Sequence, residues 1–253
     1  QLYALKEYDR AVLAATPVTT NARAPQDLKI SAWTVIAHAE FDSEDFHKAE
    51  AAYQQVLAEI APGDAQRAAL RDKLAASIYK QGDQARAAGD LSQAAIHFLR
   101  GAQTVPESSI AATARYDAAA AYISLKQFPE ATRVLEAWRR DYPDHELNQD
   151  STRKLAVLYR ETGQVQQAAA EFEKVSRFET NAGLKQEAGW TAASLYDEAG
   201  QTAKAIAAYE SFVARFPAPV EQAVEARARL EELYGQAGDR SRQTHWRQDI
   251  IRA

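Results

Sequence analysis

Residues 186–217 read QEAGWTAASLYDEAGQTAKAIAAYESFVARFP. Ala188, Ala192, Leu195, Tyr196 and Ala199 recur at helical spacing. Gly200 follows, and a glycine can take the left-handed conformation that ends a helix. A second helix then carries Ala203, Ile206, Ala207, Phe212 and Val213, and Pro217 closes it because proline cannot continue the hydrogen-bond ladder. The stretch predicts two helices joined by a tight turn.

The same design returns along the chain. Residues 149–180 repeat it with Gly163 at the turn, and residues 75–106 with Gly89-Asp90, where Asp90 and Gln93 have the spacing of a capping box. In residues 112–143, Pro129 falls in the first turn of a helix, where proline is tolerated. Tyr122, Tyr159 and Tyr196 are 37 residues apart, and Tyr234 follows after 38. Ala94, Ala131, Ala168 and Ala205 keep the interval of 37, as do Phe98, Leu135, Phe172 and Tyr209, and then Pro106, Pro143, Thr180 and Pro217. Four columns in one register define a structural repeat. The alanine column has a physical reason: a methyl side chain lets two antiparallel helices approach to about 8 Å. One helix pair cannot bury its own apolar face, so the pairs must stack.

Composition agrees. The chain has 253 residues, of which 54 are Ala, against 10 Gly and 8 Pro, too few breakers for an all-β protein. The formal net charge of −5 argues against coating nucleic acid and against anionic lipid surfaces. No cysteine is present, which removes disulfides, thiol nucleophiles and cysteine-bound zinc together. No methionine is present either, so the chain is read as a piece of a longer protein. No run approaches 18 apolar residues, so no membrane insertion of this piece is expected.

Tyrosine and a small residue in the first helix, glycine at the turn, then alanine, an aromatic and a closing proline make a pattern that resembles the tetratricopeptide repeat family. Ala119 and Tyr122, Ala156 and Tyr159, and Ala193 and Tyr196 carry the first helices. Gly89, Gly163 and Gly200 carry the turns, and Lys126 departs from the pattern. At the front, Trp33, Ala37, Ala49 and Tyr53 fit a repeat with a longer connection; at the back Tyr234 and Gly238 fit, but Gln243 replaces the expected alanine. The 37-residue period, with endings such as Trp138–Asp144 and Phe212–Pro219, resembles long-period repeats of bacterial envelope proteins. Among these are the lipoprotein of the outer-membrane β-barrel assembly machine, the periplasmic coordinator that binds TolA, and repeat proteins of TonB-type systems. The resemblance implies an all-α, right-handed superhelix of about six helix pairs. An N-terminal helix over residues 2–16 and a linker occupy residues 1–25, and the solenoid occupies 26–253, in repeats 30–64, 65–110, 111–147, 148–184, 185–222 and 223–253.

Reactive constellations are not found. The histidines His38, His47, His97, His145 and His245 show no metal spacing on one helix face. Asp42–Asp45 is acidic but lacks the glycine bend and closing glutamate of a calcium loop, and reads as a turn before an acidic helix start. There is no glycine-rich phosphate loop and no nucleophile elbow. Catalytic residues, metal and cofactors are therefore expected to be none. Carboxylate pairs such as Asp197/Glu198 and Glu231/Glu232 read as solvated faces.

First helices line the inner face of such a stack. The inward column falls at Thr34, Tyr79, Tyr116, Arg153, Trp190 and Ala228, with Arg86, Arg160, Ser194 and Asp197 beside it. The expected partner-binding residues are Tyr79, Arg86, Tyr116, Arg153, Arg160, Trp190 and Asp197. Aromatic and arginine side chains anchor protein interfaces, and Arg153 with Arg160 suits a carboxylate. The alternative is that the aromatics pack between neighbouring first helices. The function expected is a non-catalytic scaffold for a protein or peptide partner, in the periplasm or cell envelope of a bacterium. The rival readings are a superhelical accessory domain of a cell-wall enzyme such as a lytic transglycosylase, and self-assembly through exposed ends.

Overall fold

The computed structural model describes residues 1–217 and 221–252. Among these, thirteen α-helices and one short 3-10 turn are found and no strand. Helix α1 (Tyr8–Thr20) stands first, followed by six pairs. They are α2 (Gln26–Asp42) with α3 (Phe46–Glu59), α4 (Arg67–Ala87) with α5 (Leu91–Thr104), and α6 (Ala111–Ser124) with α7 (Phe128–Asp141). Then come α8 (Asn148–Glu161) with α9 (Val165–Phe178), α10 (Ala182–Glu198) with α11 (Thr202–Arg215), and α12 (Glu221–Gln236) with α13 (Arg240–Arg252). The helices divide into two compact parts, Gln1–Val134 and Leu135–Ala253, with the division inside α7.

Two details at the front differ from expectation. Residues 3–5 form the 3-10 turn, and α1 runs on to Thr20 with the exposed Pro17 inside it, instead of ending at 16. Near the end of an exposed helix the bond that proline forfeits is replaced by water, so the cost is small. Ala218 and Pro219, part of one predicted repeat ending, lie outside the described residues.

The repeat is metrically regular. Helices α5, α7, α9 and α11 each have 14 residues, and their first residues are 37 apart. The alanines at 94, 131, 168 and 205 are all fully buried, as close helix approach requires. At the last pair the small residue has changed sides. Gln243 stands in α13, and a Cβ added to Gly235 on the facing α12 would lie 2.6 Å from its amide nitrogen.

Each pair turns through the same hydrogen-bonded cap. The N–H of Gly200 donates to the Asp197 carbonyl and that of Gln201 to the Tyr196 carbonyl, both at 2.9 Å. These two hydrogen bonds satisfy carbonyls that a helix end would leave unpaired. Gly89, Gly163, Gly200 and Gly238 hold positive φ there, and so do Lys126 (58°) and Glu44 (66°). Lys126 breaks the residue pattern but keeps the conformation and the cap bonds: its N–H donates to the Ile123 carbonyl and that of Gln127 to the Tyr122 carbonyl, both at 2.9 Å. Asp90 accepts from the Gln93 N–H at 3.0 Å, which is one arm of the expected capping box. Its own N–H is already taken by the Ala85 carbonyl, so the return arm has nothing to bind.

Successive repeats in the second part are tied by a recurring bond. The hydroxyls of Tyr159, Tyr196 and Tyr234 donate to Glu136, Glu173 and Glu210 at 2.7, 2.9 and 2.6 Å. Each joins a second helix to the first helix of the next repeat. Burial, then the bond to the carboxylate, pushes the Tyr196 hydroxyl up to about 12 and raises the other two as well.

Candidate interaction surface

In the first part, α4 and α6 bring Tyr79 and Arg86 together. The Tyr79 hydroxyl donates to Asp117 Oδ2 at 2.5 Å, and its ring packs on Phe98 at 5.0 Å between centroids. Arg86 lies over the same Phe98 ring at 5.2 Å and pairs with Asp83 at 2.6 Å and Asp117 at 3.6 Å. Burial, then the bond to Asp117, raises the Tyr79 hydroxyl above its ordinary value. Tyr116 is only 8% exposed and sits in the core, so α6 offers Asp117 to this surface.

The four remaining predicted residues lie in the second part. Arg153 is paired with Glu179 at 3.0 Å and lies over Phe178 at 5.0 Å. Glu179 also accepts from the N–H groups of Asn181 and Thr180, and these bonds, Asn181 first, with Arg153 hold its carboxyl below the usual range. The charge of Arg153 is thus already met from within. Arg160 is freer: it is exposed, lies over Phe172 at 5.6 Å, and has Glu161 at 3.9 Å.

Trp190 and Asp197 share an open pocket of about 400 Å³. Trp190 packs edge-on to Tyr209 at 5.7 Å and tilts against Phe212 at 5.6 Å, which leaves part of the indole facing outward. One helical turn on, Ser194 and then Asp197 line the same wall, and α12 supplies Glu225, Ala228, Arg229 and Glu232. Arg229 grips Asp197 with both Nε and Nη2, the latter at 2.9 Å, and reaches Glu232 through Nη1. These carboxylates, Asp197 first, hold the guanidinium charged even more firmly than usual. Three carboxylates against one guanidinium leave the rim acidic around a partly buried indole.

Sequence reasoning misses Arg229, and it reads Glu232 as part of a solvated face rather than of this pocket. Their signal was faint: Arg229 adjoins the inward Ala228 and stands three residues before Glu232. The pairing with Asp197 spans 32 residues and two helices, so no local rule reveals it. Among the described residues no group of three or more His, Cys, Asp or Glu side chains is placed to hold a metal ion. No described helix is long and apolar enough to cross a membrane.

A family model for an outer membrane lipoprotein, YfiO, matches residues 71–235, and a tetratricopeptide repeat model matches residues 30–59. No curated protein matches the chain. Among solved structures, YrrB, described as a tetratricopeptide repeat protein with an unusual peptide-binding site, is 18% identical. The match covers 70% of this chain and 84% of that one, with a TM-score of 0.44. BtubC from P. vanneervenii is 20% identical, covering 81% and 87%, with a TM-score of 0.40. A tetratricopeptide repeat protein from Parabacteroides merdae ATCC 43184 is 15% identical, covering 88% and 78%, with a TM-score of 0.38.

Proposed function

This chain belongs to the YfiO family of outer membrane lipoproteins, and from that premise we propose that it is a non-catalytic scaffold of a bacterial envelope complex, holding a protein or peptide partner on its first-helix faces. The observation that carries this reading is the pocket beside Trp190. Its indole packs against Tyr209 and Phe212 and lines the pocket, and tryptophan is among the residues that most often anchor interfaces. The surrounding Asp197, Glu225 and Glu232 outnumber Arg229, so the segment that fits presents an apolar side chain next to a basic one. Tyr79 and Arg86, backed by Phe98, offer a second contact of the same kind in the first part. Arg153 is a positioning residue for the Glu179 loop in this reading, and Arg160 remains open to a partner carboxylate.

A photo-crosslinking side chain at Ala228, used in cells, tests it. An adduct with an envelope protein that disappears with Trp190→Ala supports the reading. Adducts of equal yield from the exposed Ala203 on α11, or none from Ala228, overturn it.

A further inference from the structure

Two consecutive contacts between second helices are built on the same register but filled differently. Where α7 meets α9, Glu171 is only 4% exposed and is paired with Arg139 at 2.7 Å and with Lys174 at 2.9 Å. Where α9 meets α11, the positions 37 residues on are Ser176, Ala208 and Ser211. Three long charged side chains are replaced by three small ones. A slot of about 130 Å³ lies here, lined by all three together with Gly189 and Phe212. Ser176 donates its hydroxyl to the Glu173 carbonyl at 2.7 Å, so it adds little polarity.

The mouth is cationic. Arg177, Lys204 and Arg215 surround it against one carboxylate, Glu173. Arg177 takes up Glu173 at 2.5 Å, which leaves two cations in excess. Lys204 lies over the Tyr196 ring at 5.3 Å, and among the described residues Arg215 reaches the Ser176 carbonyl, at 3.4 Å. The α10 residues that line this slot, Gly189, Ala192 and Tyr196, alternate with those of the acidic pocket, Trp190, Ser194 and Asp197. The two sites therefore use different faces of one helix and carry opposite charge.

We propose that the slot between α9 and α11 is a second docking site, taking one phenylalanine side chain from an acidic segment of a partner protein. A cavity of about 150 Å³ with apolar walls accepts a benzene-sized group, and the slot is of that order. Carboxylates flanking the phenylalanine meet the excess charge at the mouth. This inference does not rest on the Trp190 pocket, because no residue lines both sites and the probe is different.

The probe is the fluorescent peptide acetyl-Asp-Glu-Phe-Glu-Asp, followed by anisotropy on the full chain. Saturable binding is expected, weakened at least about tenfold when Ala replaces Phe in the peptide. Ala208→Leu, which fills the slot, and the pair Ser176→Arg with Ala208→Glu, which restores the arrangement of the neighbouring contact, are each expected to weaken it as much. The exposed double variant Lys204→Gln with Arg215→Gln leaves the slot intact and is expected to weaken binding and flatten its salt dependence. Arg140→Gln, an exposed cation outside the slot, is expected to change nothing. Absence of saturable binding overturns the proposal and leaves a slot holding water only. Binding indifferent to Ala208→Leu and to the Lys204/Arg215 variant, in protein with an unchanged melting profile, overturns it too.

Discussion

Tyr116 and Trp190 occupy the same column of the repeat, one in each part of the chain, and they have opposite fates. Tyr116 is buried at 8% exposure. Trp190 keeps one face outward over a pocket. Between them in the column, Arg153 is tied down by Glu179. Helical periodicity sets the direction in which these side chains leave the backbone. What closes over them depends on the neighbours: beside Trp190 stands Ala228, whose methyl group leaves room. A column thus specifies geometry, and accessibility is decided one residue at a time.

The sharpest test of that contrast is truncation. Tyr116→Ala is expected to cost about 3–4 kcal/mol in denaturant unfolding, as for a buried aromatic. Trp190→Ala is expected to cost clearly less and to abolish the Ala228 crosslink; equal losses of stability would erase the distinction. Next in size is the left-handed turn residue. Gly200→Val should cost about 1–2 kcal/mol, whereas Lys126→Gly should gain about 0.5–1 kcal/mol, since lysine is strained at that φ. Thermal melts check both signs, and a destabilising Lys126→Gly would show that its side chain contributes more than its backbone costs. Smallest is the tyrosine tie. Tyr196→Phe should cost about 1 kcal/mol through the lost bond to Glu173.

Burial of the Tyr196 hydroxyl, and after it the bond to Glu173, also sets a pH dependence. The Tyr196 hydroxyl ordinarily titrates at 10.0 and is pushed to about 12 in the fold. A raised folded value means that the folded chain holds the proton more tightly than the unfolded chain. The stabilisation is complete below pH 10 and declines between 10 and about 12. Melts across that window should fall less steeply for Tyr196→Phe than for the parent; parallel curves would show that titration of this hydroxyl does not contribute.

Much of this was readable without coordinates. The alanines at 94, 131, 168 and 205 announced the close helix crossings and are all fully buried. Glycines at 89, 163, 200 and 238 announced the turns and hold positive φ. Less of the surface was legible. Arg153 looked like a carboxylate receptor but is engaged by Glu179, and Arg229 escaped notice because its partner is 32 residues away. The exchange of Gln243 with Gly235 was visible only as a broken pattern.

The amino-acid order by itself determined the helices, their pairing and the 37-residue register, because these follow from periodicity and from turns closed within a few residues. Only the tertiary structure decided that Tyr116 is core and Trp190 lines a pocket, that Lys126 takes a glycine's conformation, and that Ser176 and Ala208 line a slot where Arg139 and Glu171 form an ion pair. Those outcomes depend on volume and charge brought together from separate helices, and volume is conserved in space, not along the chain.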